Sequence, residues 1–217
     1  VLDALRADAA MASAENDQHM ATRVVHKLTA IYAERPDQAR ARQVVADHLP
    51  HLFDGTEIIA MAERTLMAPL DARAKALTAA SARRVALVTA VSPRALVDIA
   101  FVIYESVRLA GAIAALYGAR PGLFGSWRLT GAVLAHLAVT GGLVLTDGLV
   151  EQLIGQGLAA KLSARLGEGV VNGLMTVRVG IAAIRVVRPL PFETQPQPVV
   201  RDFIPELTRL ASDVAKD

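Results

Sequence analysis

The stretch from Leu2 to Tyr32 contains no glycine or proline, and it is the feature that most limits how this chain can fold. Its apolar residues recur at intervals of three or four, as in Met20, Val24, Leu28 and Ile31. That spacing places them on one face of an α-helix. The sequence therefore predicts a long amphipathic helix here, which needs other apolar elements to cover it.

Further helical segments follow, separated by proline and glycine. The same periodicity predicts helices over residues 36–49, 57–91 with a bend or restart at Pro69, 93–117, 126–145, 146–166, 170–187 and 199–214. The Asp54-Gly55-Thr56 turn offers an N-cap for one of them, and the Gly167-Glu168-Gly169 run is expected to separate two others. No stretch has the strict alternation of a half-buried strand. We predict an all-α fold, a bundle of roughly seven or eight helices, several of them Ala/Gly-rich and closely packed.

Composition agrees with helices and excludes several classes of function. Hydrophobic residues make up 53% of the 217-residue chain, but aromatic residues only 4%, and small aliphatic side chains favour close helix packing. The net charge of +2 is too small to predict nucleic-acid binding. The absence of cysteine excludes disulfides, thiolate metal sites and a cysteine nucleophile.

Two proline-containing boundaries predict that the chain has three parts. Ser92-Pro93 can cap and open a helix, and a proline-rich stretch follows Arg188. We therefore divide the chain into an N-terminal helical region (1–91), a central helical domain (92–192), and a linker with a C-terminal amphipathic helix (193–217).

The 18 residues from Leu129 to Thr146 carry no formal charge and just reach the length needed to cross a bilayer. They also contain three glycines and three threonines, as a buried core helix would. Both interpretations stay open, with His136, Leu137 and Val139 as the candidate membrane or core residues.

Two other apolar runs carry charges that make a bilayer span expensive. Residues 97–117 contain Asp98, Glu105 and Arg108, and residues 170–187 contain Asn172 and Arg178. Glu105 and Arg108 are three residues apart and can pair on one helix face. These runs therefore suit buried or interfacial helices.

No motif in the chain predicts catalysis, a cofactor or a metal. Gly155-x-Gly157-x-x-Ala160 matches the dinucleotide fingerprint in letters, but the strand that the fingerprint requires is missing. The phosphate-binding P-loop motif is absent. His48 and His51, beside Asp47, are separated by a proline and have no third ligand nearby. They are expected to lie at a helix end.

Two patterns indicate contact surfaces instead. Gly169-x-x-x-Gly173 predicts that another helix approaches closely, and together with the leucine stripes it is compatible with a homodimer. One segment carries three arginines, Arg178, Arg185 and Arg188. They form a basic stripe that binds lipid head groups or an acidic partner, or they belong to an ordinary solvated helix face.

Four segments resemble the YcjF family of proteobacterial inner-membrane proteins. They are TAVSPRALVD (89–98), IAALYGARPG (113–122), VLAHLAVTG (133–141) and LGEGVVNGLMTVRVGIAAIRVVRPLPF (166–192). The resemblance implies two membrane spans upstream of a cytoplasm-facing helical region. It also implies a relation to a domain found at the C-terminus of some Era-like and dynamin-like GTPases.

The family's genes usually neighbour one for a stress-associated P-loop NTPase of the YcjX type, which the resemblance implies as a partner. No catalytic residues are established for the family, so none are assigned here. The candidate interaction residues lie in one turn and one helix: Arg120, Pro121, Gly122, Glu168, Asn172, Arg178, Arg185 and Arg188.

Three hypotheses for function follow. The first is a non-enzymatic helical adaptor domain of an inner-membrane protein that works with the P-loop NTPase. The second is a domain that inserts into or remodels the bilayer through residues 129–146. The third is an unrecognised enzyme that uses His136 with Glu105 or Asp147.

Overall fold

All regular secondary structure that the computed structural model describes, in residues 2–91, 95–119 and 164–214, is helical. The α-helices are α1 (Leu2–Ala14), α2 (Gln18–Ile31), α3 (Ala39–His48), α4 (Gly55–Ala62), α5 (Ala68–Val91), α6 (Ala95–Leu116), α7 (Ala164–Val187) and α8 (Ile204–Val214). Short 3₁₀ turns cover Pro36–Gln38, Leu49–His51 and Val200–Phe203, and a π-helical turn covers Glu63–Met67. The all-α prediction is confirmed, and the predicted 129–146 run lies outside the described residues.

Several helix boundaries follow the local chemistry predicted for them. The Asp54 side chain accepts hydrogen bonds from the backbone N–H groups of Thr56 and Glu57, as expected of a helix N-cap. Pro36 opens the 3₁₀ turn before α3, where a missing N–H costs nothing. Pro205 lies in the first turn of α8 for the same reason.

The prediction of one helix over Leu2–Tyr32 is wrong, because the chain turns between α1 and α2. Asn16 adopts φ 53°, the left-handed region that asparagine tolerates better than most residues. Asp17 then caps α2 by accepting from the Met20 N–H at 2.9 Å. The turn lets α1 pack against α2, and both pack against α4.

The predicted helix break at Gly167–Gly169 is also wrong, because α7 runs through it. A glycine inside a helix costs only about 1 kcal/mol relative to alanine. Close packing offsets that cost: a Cβ atom on Gly169 would lie 2.6 Å from the Ala86 carbonyl oxygen of α5. On Gly173 it would lie 3.2 Å from the Ala82 oxygen, so the close helix approach predicted from this motif is confirmed.

The described residues form two units, each assembled from separate stretches of the chain. The first contains residues 2–73, 114–119 and 186–197, and the second contains residues 74–91, 95–113, 164–185 and 198–214. Buried side chains of the first unit include Leu28, Ile58, Ile59, Leu66 and Leu70. The second has a core of Ala82, Ala86, Leu174, Val177, Ile181, Phe203 and Leu207.

Two glycines of α7 test the packing explanation directly. We expect Gly169→Ala to lower the free energy of unfolding, because overpacking of this kind typically costs about 1–3 kcal/mol. The matched control is Gly167→Ala, where a Cβ atom would meet nothing within 4 Å. There the change should raise stability by about 0.5–1 kcal/mol through helix propensity alone. Urea denaturation of both variants measures the difference, and equal effects would contradict the packing account.

Candidate functional site

Arg188 lies at the centre of a buried ionic cluster in the first unit. Its side chain is 1% exposed, and it pairs with two buried acids, Glu63 and Asp71. Arg188 Nη2 lies 3.0 Å from Glu63 Oε1 and 2.8 Å from Asp71 Oδ2, while Nε donates to Asp71 Oδ1 at 3.0 Å. We call Arg188, Glu63, Asp71, Tyr117 and Tyr32 the Arg188 cluster.

The same guanidinium organises the proline-containing segment that follows it. Arg188 Nη1 donates to the carbonyl oxygens of Leu190 and Pro191, at 2.7 and 2.5 Å. The Phe192 ring stacks with its centroid 3.8 Å from the guanidinium carbon. Each nitrogen of the guanidinium therefore has a partner, and residues 188–195, which we call the strap, are held close to it.

Glu63 fixes the other end of the strap. Its carboxylate accepts from the backbone N–H of Thr194 at 2.6 Å and from the Thr194 hydroxyl at 2.7 Å, and also from the Glu193 N–H. Burial opposes ionisation of Glu63, but the hydrogen bonds from Thr194 and the charge of Arg188 outweigh it, so the pKa lies below its ordinary value. Glu63 begins the π-helical turn that leads into α5.

Two tyrosines complete the cluster. The Tyr117 hydroxyl donates to Asp71 Oδ1 at 2.5 Å, and the Tyr32 hydroxyl donates to the Tyr117 carbonyl oxygen at 3.1 Å. Burial raises the pKa of both tyrosines, so both hydroxyls stay protonated and act as donors. The charged groups of the cluster are thus engaged with one another or with the strap. This arrangement suits a structural clamp better than a reactive centre, which keeps a position open for substrate.

A second ionic cluster lies in the second unit, where α5 and α6 contribute to it. Glu105 is 2% exposed, and Arg84 and Arg108 both bind it. Arg84 donates through Nε and Nη2 to Oε1, at 2.8 and 2.5 Å. Arg108 donates through Nε to Oε2 at 2.9 Å and through Nη2 to Oε1 at 2.7 Å. Ser81 donates to Oε1 at 2.7 Å. These four residues are the Glu105 cluster.

Burial opposes ionisation of Glu105, but hydrogen bonds from Arg108, Ser81 and Arg84 outweigh it and lower the pKa to about 2. The predicted pair of Glu105 with Arg108 is therefore present. The enzyme hypothesis uses His136 with Glu105 or Asp147. Here both oxygens of Glu105 are bound to arginine, while His136 and Asp147 lie outside the described residues.

The outer side of α6 is apolar and exposed. Ile103 is 59% exposed, Tyr104 61% and Val107 37%, and Ala100 is exposed as well. Their spacing places them in one stripe along two helical turns. We call Ala100, Ile103, Tyr104 and Val107 the α6 face. Arg108, half-exposed, stands four residues after Tyr104, so the two side chains are neighbours on the surface of α6.

Among the described residues, one helical segment is long and apolar enough to cross a membrane. It is Gly169–Val187 of α7, 19 residues with a mean hydropathy of 1.6. Half of it is buried inside the protein, and the core helix of a soluble protein meets the same criteria of length and hydropathy. Val171 and Met175 on this segment are exposed.

The structure describes only some of the predicted site residues. Arg120, Pro121, Gly122, His136, Leu137 and Val139 lie outside the described part of the chain, as does the side chain of Glu168. Asn172 Nδ2 donates to Thr89 Oγ1 at 3.2 Å. Arg178 and Arg185 are half-buried, whereas Arg188 is buried in its ion pairs and belongs to no exposed basic stripe. His48 is exposed and lies at a helix end, as expected.

The acids of the Arg188 cluster were missed by sequence reasoning. A signal for Glu63 was present, because it stands within the apolar run Ile58–Met67 where a carboxylate needs a partner. Asp71 lies eight residues further on, but nothing local connects either acid to Arg188.

Comparison with known proteins places the chain among membrane-protein sequences. The family described as "Domain of unknown function (DUF697)" matches residues 53–213. A UPF0283 membrane protein of Brucella canis is 49% identical over 209 residues, covering 96% of this chain and 58% of that protein. One of Mesorhizobium japonicum is 49% identical over 201 residues, covering 93% and 56%. This chain thus spans a little over half the length of these relatives. No solved structure matches it.

Removing Arg188 should be far more damaging than removing an exposed arginine. Arg188→Met would leave Glu63 and Asp71 buried without their counter-charge, a change that typically costs about 3–5 kcal/mol. The matched control is Arg73→Met, which removes an exposed bridge to Asp37 and should cost about 0–1 kcal/mol. Chemical denaturation tests this, and equal losses would contradict a structural role for the cluster.

The Glu105 cluster predicts part of the acid sensitivity of the fold. The pKa of Glu105 in the folded protein is about 2, below the ordinary glutamate value. As pH falls, the unfolded state therefore takes up a proton at this residue before the folded state does. Stability should therefore fall between about pH 4.5 and 2. Glu105→Gln should make this dependence shallower. Denaturation midpoints measured across this pH range test it, and parallel curves for variant and wild type would contradict it.

Proposed function

Because the chain belongs to the DUF697 family, and its relatives are named membrane proteins, we propose that it is the helical adaptor region of a membrane protein. In this proposal the region faces the cytoplasm at the inner membrane and binds a stress-associated P-loop NTPase. The partner is the YcjX-like protein that the family resemblance implies. The region itself performs no catalysis.

The observation that carries the proposal is the exposed α6 face. Ile103 and Tyr104 each leave more than half of their surface exposed. Aromatic residues and arginine are enriched in protein interfaces and among the residues that dominate binding energy. An exposed apolar stripe is typical of a surface that contacts another protein or a membrane, and the aromatic residue with Arg108 beside it favours a protein.

The two ionic clusters support a non-enzymatic role. Their three carboxylates are bound by arginine and by hydrogen-bond donors, so none of them is placed to abstract or deliver a proton. What the described residues present to a partner is a surface on a stable helical scaffold.

A charge on the α6 face should weaken binding of the NTPase. We expect Tyr104→Glu to weaken the complex at least tenfold, because losing a buried interface aromatic typically costs about 2 kcal/mol or more. The matched control is Met11→Glu on α1, where the side chain is also half-exposed. Co-purification and the hydrolysis rate of the NTPase measure the effect.

Circular dichroism should show that both variants stay folded. A wild-type chain that neither binds the NTPase nor changes its hydrolysis rate would overturn the adaptor proposal. Equal loss of binding in both variants would mean that the α6 face is not the surface that binds the NTPase.

A second candidate function, membrane insertion, is favoured by α7. Its segment Gly169–Val187 has the length and hydropathy of a span and exposes Val171 and Met175. The uncharged 129–146 run belongs to the same hypothesis. In this case the helix would leave its packing against α5 and enter lipid.

If the chain binds membranes by inserting α7, a charge on the exposed side of α7 should prevent the insertion. Met175→Glu is expected to stop the chain from floating with anionic liposomes at both low and high salt, while the fold is kept. Met11→Glu is again the control, and it should float like the wild type. A wild-type chain that stays at the bottom of the gradient would count against insertion.

A further inference from the structure

Resting on the proposed function, we propose that the α6 face and the Glu105 cluster together bind an acidic amphipathic helix of the partner protein. A carboxylate of that helix would bind Arg84 and Arg108, and its apolar side would cover Ile103 and Tyr104. In this proposal the exposed apolar stripe and the paired arginines are two parts of one surface, joined where Arg108 follows Tyr104 by one helical turn.

The two arginines are held side by side. Both Nη2 atoms lie within 2.7 Å of the same oxygen, Glu105 Oε1. Long arginine side chains normally lose conformational entropy when they bind. Because Glu105 already positions these two, less of that cost falls on complex formation.

The charge and geometry of the pair are suited to a further anion. Two guanidinium groups surround one carboxylate, so the cluster carries a net positive charge. Arg84 and Arg108 use Nε and Nη2 in their described hydrogen bonds, which leaves each Nη1 for another acceptor. Their side chains are 45% and 47% exposed, so a partner can reach them. Guanidinium groups bind carboxylates in planar, directional hydrogen bonds.

The size of the surface favours a protein helix over a lipid bilayer. The α6 face spans residues 100–107, which is about 10 Å of helix, the length over which two helices make one set of i, i+3, i+4 and i+7 contacts. Recognition of anionic lipid usually rests on about four to eight basic residues in a cluster. Here there are two arginines that share a carboxylate.

The test measures binding of the full chain to the YcjX-like P-loop NTPase of the proposed function. Arg84→Gln with Arg108→Gln should weaken binding about tenfold or more, as expected for lost charge-assisted hydrogen bonds. Because Glu105 is buried and loses both counter-charges, circular dichroism must show that the double variant is folded at the assay temperature. The matched control is Arg83→Gln, which removes an equally exposed arginine of the same helix that faces Glu206 instead. Lysine at both positions keeps the charge but loses the planar guanidinium, so it should restore binding only in part.

Each outcome decides the proposal. Selective loss in the double glutamine variant, with partial rescue by lysine, supports it. If the wild type and the double glutamine variant bind equally well, the acidic-helix proposal is overturned but the adaptor function is not. Equal loss of binding in the double variant and in the Arg83 control has the same meaning. Wild-type chain that fails to bind the NTPase overturns both. Arginine-dependent flotation with phosphatidylserine vesicles, without NTPase binding, would instead make this a lipid surface and overturn the acidic-helix proposal.

Discussion

The ion pairs of Arg188 with Glu63 and Asp71 are the constraint on which the first unit depends. Taking three charged groups out of water costs several kcal/mol for each, so the cluster persists only because its geometry is well satisfied. Arg188 contributes bonds from all three guanidinium nitrogens, and Glu63 adds those to the strap backbone. The result joins residues that are 117 and 125 positions apart in the sequence.

The second unit relies on a different kind of packing. Helix α7 has glycines at positions 169, 173 and 180, which allow α5 to approach closely. A Cβ atom added at 169 or 173 would contact a backbone oxygen of α5, and one added at 180 would contact the Thr78 side chain. Small residues thereby shape the contact, while Leu174, Val177 and Ile181 fill the core around it. A chain with few aromatic residues can be well packed in this way because small side chains shorten the distance between helix axes.

Local patterns in the sequence predicted the helices well and the ionic clusters poorly. The helix class, the Asp54 cap, the Glu105–Arg108 pair and the close approach at Gly173 all rest on contacts within a few residues or on composition. The break at Asn16 was missed because asparagine is also tolerated inside a helix, and only the left-handed backbone distinguishes the two cases. The sequence predicts a basic stripe or a solvated helix face for Arg188, because the acids that bury it are distant in the chain. Discontinuous units likewise cannot be found by dividing a sequence into consecutive stretches.

The hydrogen bonds of Arg188 also bear on how this sequence can change over evolutionary time. Lysine, with one nitrogen and three donors, cannot reach two carboxylates and two carbonyl oxygens from the same position. An apolar side chain at 188 would be acceptable only if residues 63 and 71 became uncharged as well. We therefore expect these three positions to covary among relatives, exchanging as a set or not at all, even though the sequence itself places them far apart.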